Sequence, residues 1–323
     1  MKRMMMYGLL LCAVAGLAGA TGKRAAEPKA LTIYGLKGPS GVGMIRLFET
    51  PPEISGMTVS VEALASGDLM AARFIAGEAK VGILPSNVAA KIAASGKPVQ
   101  LAAVTGLGML SLLSGDPAVR DIDSLKGKTI AVAGQGAVPD YVFRKILAAH
   151  NLDPAVDLKL DYSLAYPEIA QSLIAGRITL ALIPEPFATM ARLGSNSLTQ
   201  AGDIQAEWVK AGGQANYPLT VLVVDTQFAA ENPAAMTTIM GAVKDSIEWV
   251  TANPAEAGTL VEKHDLGLKA AVAAASIPRS NYAFIYAGTA RPALTALYQT
   301  LLEFAPDSIG GKLPDDSFYL PSR

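Results

Sequence analysis

The sequence predicts an α/β protein with two similar lobes, and a repeated phrase is the first reason. Residues 74–88 read FIAGEAKVGILPSNV and residues 173–187 read LIAGRITLALIPEPF, which align without a gap at an offset of 99. The second reason is that strand-like and helix-like segments alternate with short loops in both halves, a pattern typical of parallel sheets flanked by helices. The chain therefore repeats one folding unit.

In the first half, residues that favour a pleated surface predict strands, and apolar residues at helical spacing predict helices. The predicted segments in order are LTIYGL (strand), KGPSGVG (break), MIRLFE (helix start), MTVSVEAL (strand), LMAARFIA (helix), KVGIL (strand) and NVAAKIAAS (helix). Gly77 follows LMAARFIA, at the position after a helix where glycine is common. The next segment, LAAVTGLGMLSLLSG, predicts one or two strands.

The same order begins again at Asp121. The predicted segments are TIAVA (strand), GQGAVP (break), DYVFRKILAAH (helix), DLKLDYS (strand), EIAQSLIAG (helix), TLALI (strand) and PEPFATMARLG (helix start). NYPLTVLVVD predicts a further strand, and the chain from Thr226 onward shows helical patterns to its end.

These patterns divide the chain into a leader, a spacer and two lobes. We expect the chain to pass from lobe 1 to lobe 2 near 113–120 and to return near 216–222, so that two crossings form a hinge. The expected organisation is a signal peptide (1–20), a flexible spacer (21–30), lobe 1 (31–114 plus 222–323) and lobe 2 (115–221).

The N-terminus has the pattern of a secretory signal peptide. Lys2 and Arg3 precede the apolar run MMMYGLLLCAVAG, and Ala18-Gly19-Ala20 is a small-x-small cleavage site. We therefore expect a periplasmic or otherwise extracytoplasmic protein. Cys12, the one cysteine of the chain, offers lipid anchoring as the less favoured alternative, because Leu11 is bulky where lipoprotein signals carry a small residue.

Composition excludes several classes of function. With 51% hydrophobic and 17% charged residues, the chain can bury a core, so we do not expect disorder. Loss of Lys2 and Arg3 with the leader leaves 25 basic against 28 acidic residues, which is not the basic surface that nucleic-acid binding requires. No nucleotide-binding loop, nucleophile motif or metal-ligand spacing is complete. We expect a monomer without cofactor, metal or catalytic residues.

The loops that follow the strands are the expected binding site. In open parallel sheets, ligands bind beyond the carboxyl ends of the strands. Two such loops in each half, KGPSGVG, LPSN, GQGAVP and IPEP, lead into helices whose first N–H groups lack internal partners. If the lobes face each other, four helix N-termini converge on one cleft, an arrangement suited to an anionic or polar small molecule.

Several segments resemble the substrate-binding proteins of bacterial ABC importers, in the SsuA/THI5-like (NMT1-like) group with the type II periplasmic-binding fold. The segments are ILPSN (83–87), SLKGKTIAV (124–132), GQGAVPDYVFRKIL (134–147), IPEPFAT (183–189), ENPAA (231–235) and SIGGKLPDDSFY (308–319). The resemblance implies two lobes, each a mainly parallel sheet flanked by helices, with a ligand cleft between them. It is less specific for the ligand, since relatives are associated with nitrate, sulfonates, bicarbonate and thiamine precursors.

Nine residues in these loops, together with Tyr217, are candidate ligand contacts, and six of the ten have a structural alternative. Turn formation explains Ser40 and Gly41, helix capping explains Ser86 and Asn87, and core packing explains Tyr217. A glutamate near a helix N-terminus is favourable without any ligand. The candidates are Ser40, Gly41, Pro85, Ser86, Asn87, Gln135, Gly136, Ala137, Glu185 and Tyr217.

The sequence favours a non-catalytic protein that binds a small solute and delivers it to an ABC permease. One alternative is an enzyme on the same fold that acts on a pyrimidine or a related small metabolite. It is disfavoured by the export signal and by the absence of the cysteine-rich segment of the fungal pyrimidine synthases. The other alternative is a ligand-sensing subunit of a membrane receptor.

Overall fold

The computed structural model describes residues 29–321, which form two sheets flanked by helices. The expected signal peptide, Cys12 and the spacer up to residue 28 lie outside the described residues. The strands are β1 (Lys29–Leu36), β2 (Met57–Leu64), β3 (Val81–Pro85), β4 (Val99–Leu107), β5 (Leu110–Ser114), β6 (Thr129–Val132), β7 (Lys159–Asp161), β8 (Leu180–Pro184), β9 (Thr199–Gln200), β10 (Pro218–Asp225) and β11 (Tyr282–Tyr286). The helices are α1 (Pro39–Gly43), α2 (Ile45–Glu49), α3 (Gly67–Ile75), α4 (Ser86–Ala94), α5 (Val138–Ala149), α6 (Tyr166–Ile174), α7 (Phe187–Gly194), α8 (Ile204–Lys210), α9 (Thr226–Glu231), α10 (Pro233–Ala252), α11 (Pro254–Lys263), α12 (Ala270–Ser276) and α13 (Ala287–Phe304).

Most strands within each sheet run in the same direction, as the sequence predicts. The first has the order β11-β4-β10-β3-β1-β2, and the second has the order β7-β6-β8-β5-β9. In the first sheet β1 pairs in parallel with β2 and β3, while β10 pairs antiparallel with β3 and β4. In the second sheet β6 pairs in parallel with β7 and β8, while β5 pairs antiparallel with β8. The predicted α/β class with two lobes is confirmed.

In each lobe, the strand that follows a chain crossing runs antiparallel to its neighbours. β5 continues from β4 after the two residues Gly108 and Met109, and β10 returns the chain to the first sheet. The first crossing therefore lies at 108–109 rather than 113–120, and β10 returns as a whole from residue 218. The predicted boundaries at 114 and 222 wrongly assign β5 to lobe 1 and half of β10 to lobe 2. The first boundary is misplaced because the apolar run 101–114 shows no polar break between its two strands.

The sequence repeat is a structural repeat. α3 and α6 have the same length and lie at the offset of 99, as do β3 and β8. Gly77 and Gly176 end the two helices with φ of 76° and 67°, a left-handed conformation that glycine adopts without a Cβ penalty. In both copies the next residue donates its N–H to the carbonyl five positions back: Glu78 to Arg73 and Arg177 to Ser172, each over 2.9 Å.

The C-terminal region contacts both lobes and is not wholly helical. α10 packs on α1 and α2, whereas α12 packs on α7 of the second lobe. The expectation of helix from Thr226 to the end is wrong at residues 282–286, where YAFIY forms β11 on the edge of the first sheet. This strand is short and lies between two helices, so periodicity over a long window does not reveal it.

Candidate functional site

The loops at the carboxyl ends of the strands face each other across the two lobes. Asn87, after β3, donates from Nδ2 to the carbonyl oxygen of Gly136, after β6, over 2.9 Å. Gly38, after β1, lies against Phe187, after β8, so that a Cβ on Gly38 would be 3.5 Å from the Phe187 ring. We call the surface between the turns 37–41 and 85–87 of one lobe and 134–137 and 184–187 of the other the interlobe cleft.

The β3–α4 turn provides one cleft residue and one structural residue. Asn87 is 1% exposed, and its Oδ1 has no hydrogen-bond partner among the described residues. Ser86 is also buried, but its hydroxyl donates to the Pro218 carbonyl over 2.9 Å. Neither side chain caps α4, for which Pro85 is the preceding residue. Of the three candidates here, Asn87 alone brings an unpaired polar atom to the cleft.

Ser40 and Gly41 close their own turn. The Leu36 N–H donates to Ser40 Oγ over 3.1 Å. A Cβ on Gly41 would collide with the carbonyl oxygen of Leu36 and lie 3.2 Å from Leu266. These contacts give both residues a structural role, which is the alternative that the sequence left open.

The GQG turn is held by a carboxylate from its own helix. Gly136, with φ of 77°, donates its N–H to Asp140 Oδ2 over 2.9 Å, and Ala137 donates its N–H to the Gly134 carbonyl over 2.9 Å. Gln135 is exposed. Asp140 is buried, and its role was not predicted from the sequence, although DYVFRKIL placed it in the first turn of the helix.

Glu185 lies in a different environment from the other candidates. It is 2% exposed, its Oε2 accepts the Thr189 N–H over 3.0 Å, and its Oε1 pairs with Arg192 over 3.3 Å. Burial raises the pKa of Glu185 above its ordinary value, although the Thr189 and Arg192 contacts act in the opposite direction. Glu185 lines a groove of about 510 Å³ beside the first crossing, together with Gly108, Met109, Leu110, Ser111, Arg192, Gln200, Gln205, Arg279 and Asn281. Its carboxylate bonds within lobe 2 and not to Asn87 or Gly136.

Two aromatic pairs lie near the turns of the two lobes. Tyr217 is buried, contacts Trp208 edge-on at 5.4 Å between ring centroids, and has a hydroxyl without a hydrogen-bond partner among the described residues. Tyr166 stacks on Phe187 at 5.8 Å and donates its hydroxyl to the Ala133 carbonyl. Burial raises the pKa of both Tyr166 and Tyr217. The sequence singled out Tyr217 but missed Tyr166, since nothing in its local pattern distinguishes it from a core tyrosine.

Residues 29–321 lack two kinds of feature. They contain no group of three or more His, Cys, Asp or Glu side chains arranged to hold a metal ion. No helix in this part of the chain combines the length and the apolar character needed to cross a bilayer.

A family model described as the NMT1-like family matches residues 45–263. The chain belongs to the NMT1-like family. A solved structure of an ABC transporter protein from Parabacteroides distasonis is 25% identical, with a TM-score of 0.77 over 91% of this chain and 100% of that one. This NMT1-like chain is also similar to YtlA of Bacillus subtilis (strain 168), which is named as a binding protein. The identity is 22%, and the match spans 60% of this chain and 58% of YtlA.

More distant structures share the fold of this NMT1-like chain. The periplasmic aliphatic sulphonate-binding protein SsuA of Escherichia coli is 17% identical, with a TM-score of 0.69 over 88% of this chain and 89% of SsuA. The periplasmic nitrate-binding protein NrtA of Synechocystis PCC 6803 is 13% identical, with a TM-score of 0.60 over 76% of this chain and 69% of NrtA. The two-lobed architecture predicted from the sequence is confirmed by these relatives.

Proposed function

We propose that the protein is the solute-binding component of an ABC importer. In this role it captures a small polar or heterocyclic molecule in the interlobe cleft and delivers it to a permease in the cytoplasmic membrane. The observation that carries the proposal is the contact between Asn87 and Gly136, which places the strand-end turns of two lobes against each other. The names of the structural relatives, which include ABC transporter and periplasmic binding proteins, support the same role.

The architecture suits capture by closure. Two chain crossings join the lobes, at 108–109 and just before β10, so a change at a few crossing residues would open and close the cleft. Closure around a small molecule buries it between the turns, as in other concave sites. The Phe187 ring, which stacks on Tyr166, lies at the cleft beside Gly38.

We also propose that the leader directs the protein out of the cytoplasm and that the protein acts as a monomer without catalysing a reaction. Its function in transport requires binding without chemical change to the solute. The protein should release the same molecule that it captures.

Mass spectrometry of small molecules that co-purify with the native protein tests this role. The recovered solute is then titrated into the unliganded protein, where we expect saturable thermal stabilisation and no product after prolonged incubation. The variant Ala137→Trp fills the cleft at a turn residue and should abolish the stabilisation. Ala234→Trp, on the exposed surface of α10, is the matched control and should retain it.

Two results would count against the proposal. Conversion of the solute to a product would favour the enzyme alternative. Equal stabilisation of wild type and Ala137→Trp would place the binding site outside the cleft.

A further inference from the structure

A buried carboxylate lies at the N-terminal end of each of the two lobe-2 helices that begin at the cleft. In α5 this residue is Asp140, which accepts the N–H of Gly136 in the preceding turn. Before α7 it is Glu185, which accepts the N–H of Thr189 in the first turn. Each carboxylate is 2% exposed and pairs with an arginine of the same helix, Arg144 or Arg192.

The Asp140 carboxylate uses both of its oxygens. Oδ2 accepts from Gly136, while Oδ1 accepts from Arg144 Nε and from the Tyr162 hydroxyl, each over 2.7 Å. An ionised carboxylate with three donors is satisfied without any solute. The positive end of α5 therefore already faces a negative group of the protein.

Several amides that could hold a solute anion at these two helices are already bonded or are missing. In the β6–α5 turn the Gly136 and Ala137 N–H groups are bonded within the protein. Pro139 lies in the first turn of α5 and has no N–H. At α7 the Thr189 N–H is bonded to Glu185, and Pro186 again has no N–H. A carboxylate of the protein thus already lies at the N-terminal end of each helix, where an oxyanion would otherwise be favoured.

One unpaired polar atom of the cleft, Asn87 Oδ1, favours a solute that donates a hydrogen bond. Asn87 Oδ1 can only accept a hydrogen bond, and it has no partner among the described residues. The Asn87 amide nitrogen already donates to Gly136, in the turn whose N–H is bonded to Asp140. The buried Tyr217 hydroxyl is also without a partner among the described residues, but it can donate or accept and so does not distinguish between solutes. A solute with N–H or O–H donors would satisfy Asn87 Oδ1, which an oxyanion without a proton cannot do.

We infer that Asp140 and Glu185 are specificity-determining residues that exclude anions, so the cleft binds an uncharged or cationic solute with N–H or O–H donors. This inference rests on the proposed function. It separates the chain from relatives that are named as sulphonate-binding and nitrate-binding proteins.

Calorimetric titration with sodium nitrate and sodium methanesulfonate, at ionic strength fixed with sodium chloride, tests the exclusion in the wild-type protein. We expect no saturable heat. Asp140→Asn removes the charge with little change in shape, and Asp140→Ser also frees the Gly136, Arg144 and Tyr162 donors. Both variants should bind the two anions at least tenfold more tightly than wild type. Asp153→Asn makes the same charge change on an exposed turn of lobe 2 and should behave as wild type.

The outcomes separate this inference from the function on which it rests. Saturable binding of nitrate or methanesulfonate by the wild-type protein would overturn the inference and leave the transport role intact. So would folded Asp140→Asn and Asp140→Ser proteins that gain no anion affinity. A co-purifying uncharged or cationic solute would support the inference. Failure of solutes of every charge to stabilise the wild type would count against the transport role itself.

Discussion

Asn87 of the first lobe and Gly136 of the second are joined by a 2.9 Å hydrogen bond from Asn87 Nδ2 to the Gly136 carbonyl oxygen. The same nitrogen lies 3.4 Å from the Ser308 carbonyl oxygen in the C-terminal segment. Because Asn87 is buried and also carries an unpaired Oδ1, one side chain takes part both in lobe contact and in the candidate binding surface. Its substitution should therefore affect the relative position of the lobes.

We expect Asn87→Ala to favour a more open arrangement of the two lobes. The substitution removes the hydrogen bond from Asn87 to Gly136, and a neutral hydrogen bond of this kind contributes about 0.5–1.5 kcal/mol to the closed state. Small-angle X-ray scattering of the unliganded protein should show a larger radius of gyration than for wild type. Asn253→Ala is the matched control, because the Asn253 side chain donates to the Trp249 carbonyl within lobe 1 and not across the lobes. An unchanged radius of gyration for Asn87→Ala would contradict the prediction.

Gly108 at the first crossing should not tolerate a side chain. A Cβ there would contact Gln205 and lie 2.6 Å from Tyr217 Cε1, so Gly108→Ala should destabilise the protein by about 1–3 kcal/mol through overpacking. Gly241 lies inside α10, where a Cβ would meet nothing within 4 Å, and Gly241→Ala should stabilise by about 0.5–1 kcal/mol. Urea denaturation measures the free energy of unfolding of both variants. If Gly108→Ala were as stable as Gly241→Ala, the crossing would have adapted to the added methyl group.

His150 should make the stability of lobe 2 depend on pH. Its ring bonds to Asp123 over 2.7 Å and to Glu207 over 2.8 Å. Burial lowers the pKa of His150, but these two carboxylates outweigh burial and raise the pKa above its ordinary value. The stabilisation from the charged ring is thus complete below about pH 6.5 and is lost as pH rises through the folded-state pKa.

Thermal unfolding of wild type and His150→Gln between pH 6 and pH 9 checks this behaviour. The difference in Tm between the two proteins should be largest at pH 6 and shrink toward pH 9. Lys210, followed by His150, holds the pKa of Glu207 below its ordinary value, so Glu207 remains ionised throughout this range. A constant difference in Tm would mean that the His150 charge does not contribute.

Much of the fold could be predicted because burial and periodicity agree along the repeated units. The segments MTVSVEAL and TLALI form β2 and β8, and Gly77 ends α3 as expected. The crossing at 108–109 could not be located, because β4 and β5 are both buried strands and together form one apolar run. β11 was missed because a strand on a sheet edge depends on pairing with β4, a contact distant in sequence.

The meeting of the strand-end loops could be predicted from the sequence, but the orientation of their side chains could not. The turns that contain Asn87 and Gly136 do meet, as expected from strand ends that point to one cleft. The sequence did not show that Ser86 bonds to Pro218, or that Glu185 turns toward Arg192. These orientations depend on neighbours 132 and 7 positions away, respectively. Which polar atoms stay free for a solute is therefore a tertiary property.

The two copies of the repeated unit should respond equally to the same backbone substitution. Gly77 and Gly176 have left-handed φ angles, and a Cβ at either position would meet nothing within 4 Å. Gly77→Ala and Gly176→Ala should each cost about 1–2 kcal/mol, since the strain of this conformation is the only penalty. Urea denaturation should give equal losses, and an asparagine at either site should cost less because it tolerates the left-handed region. A loss confined to one copy would show that the surrounding lobe, rather than the local helix end, sets the cost.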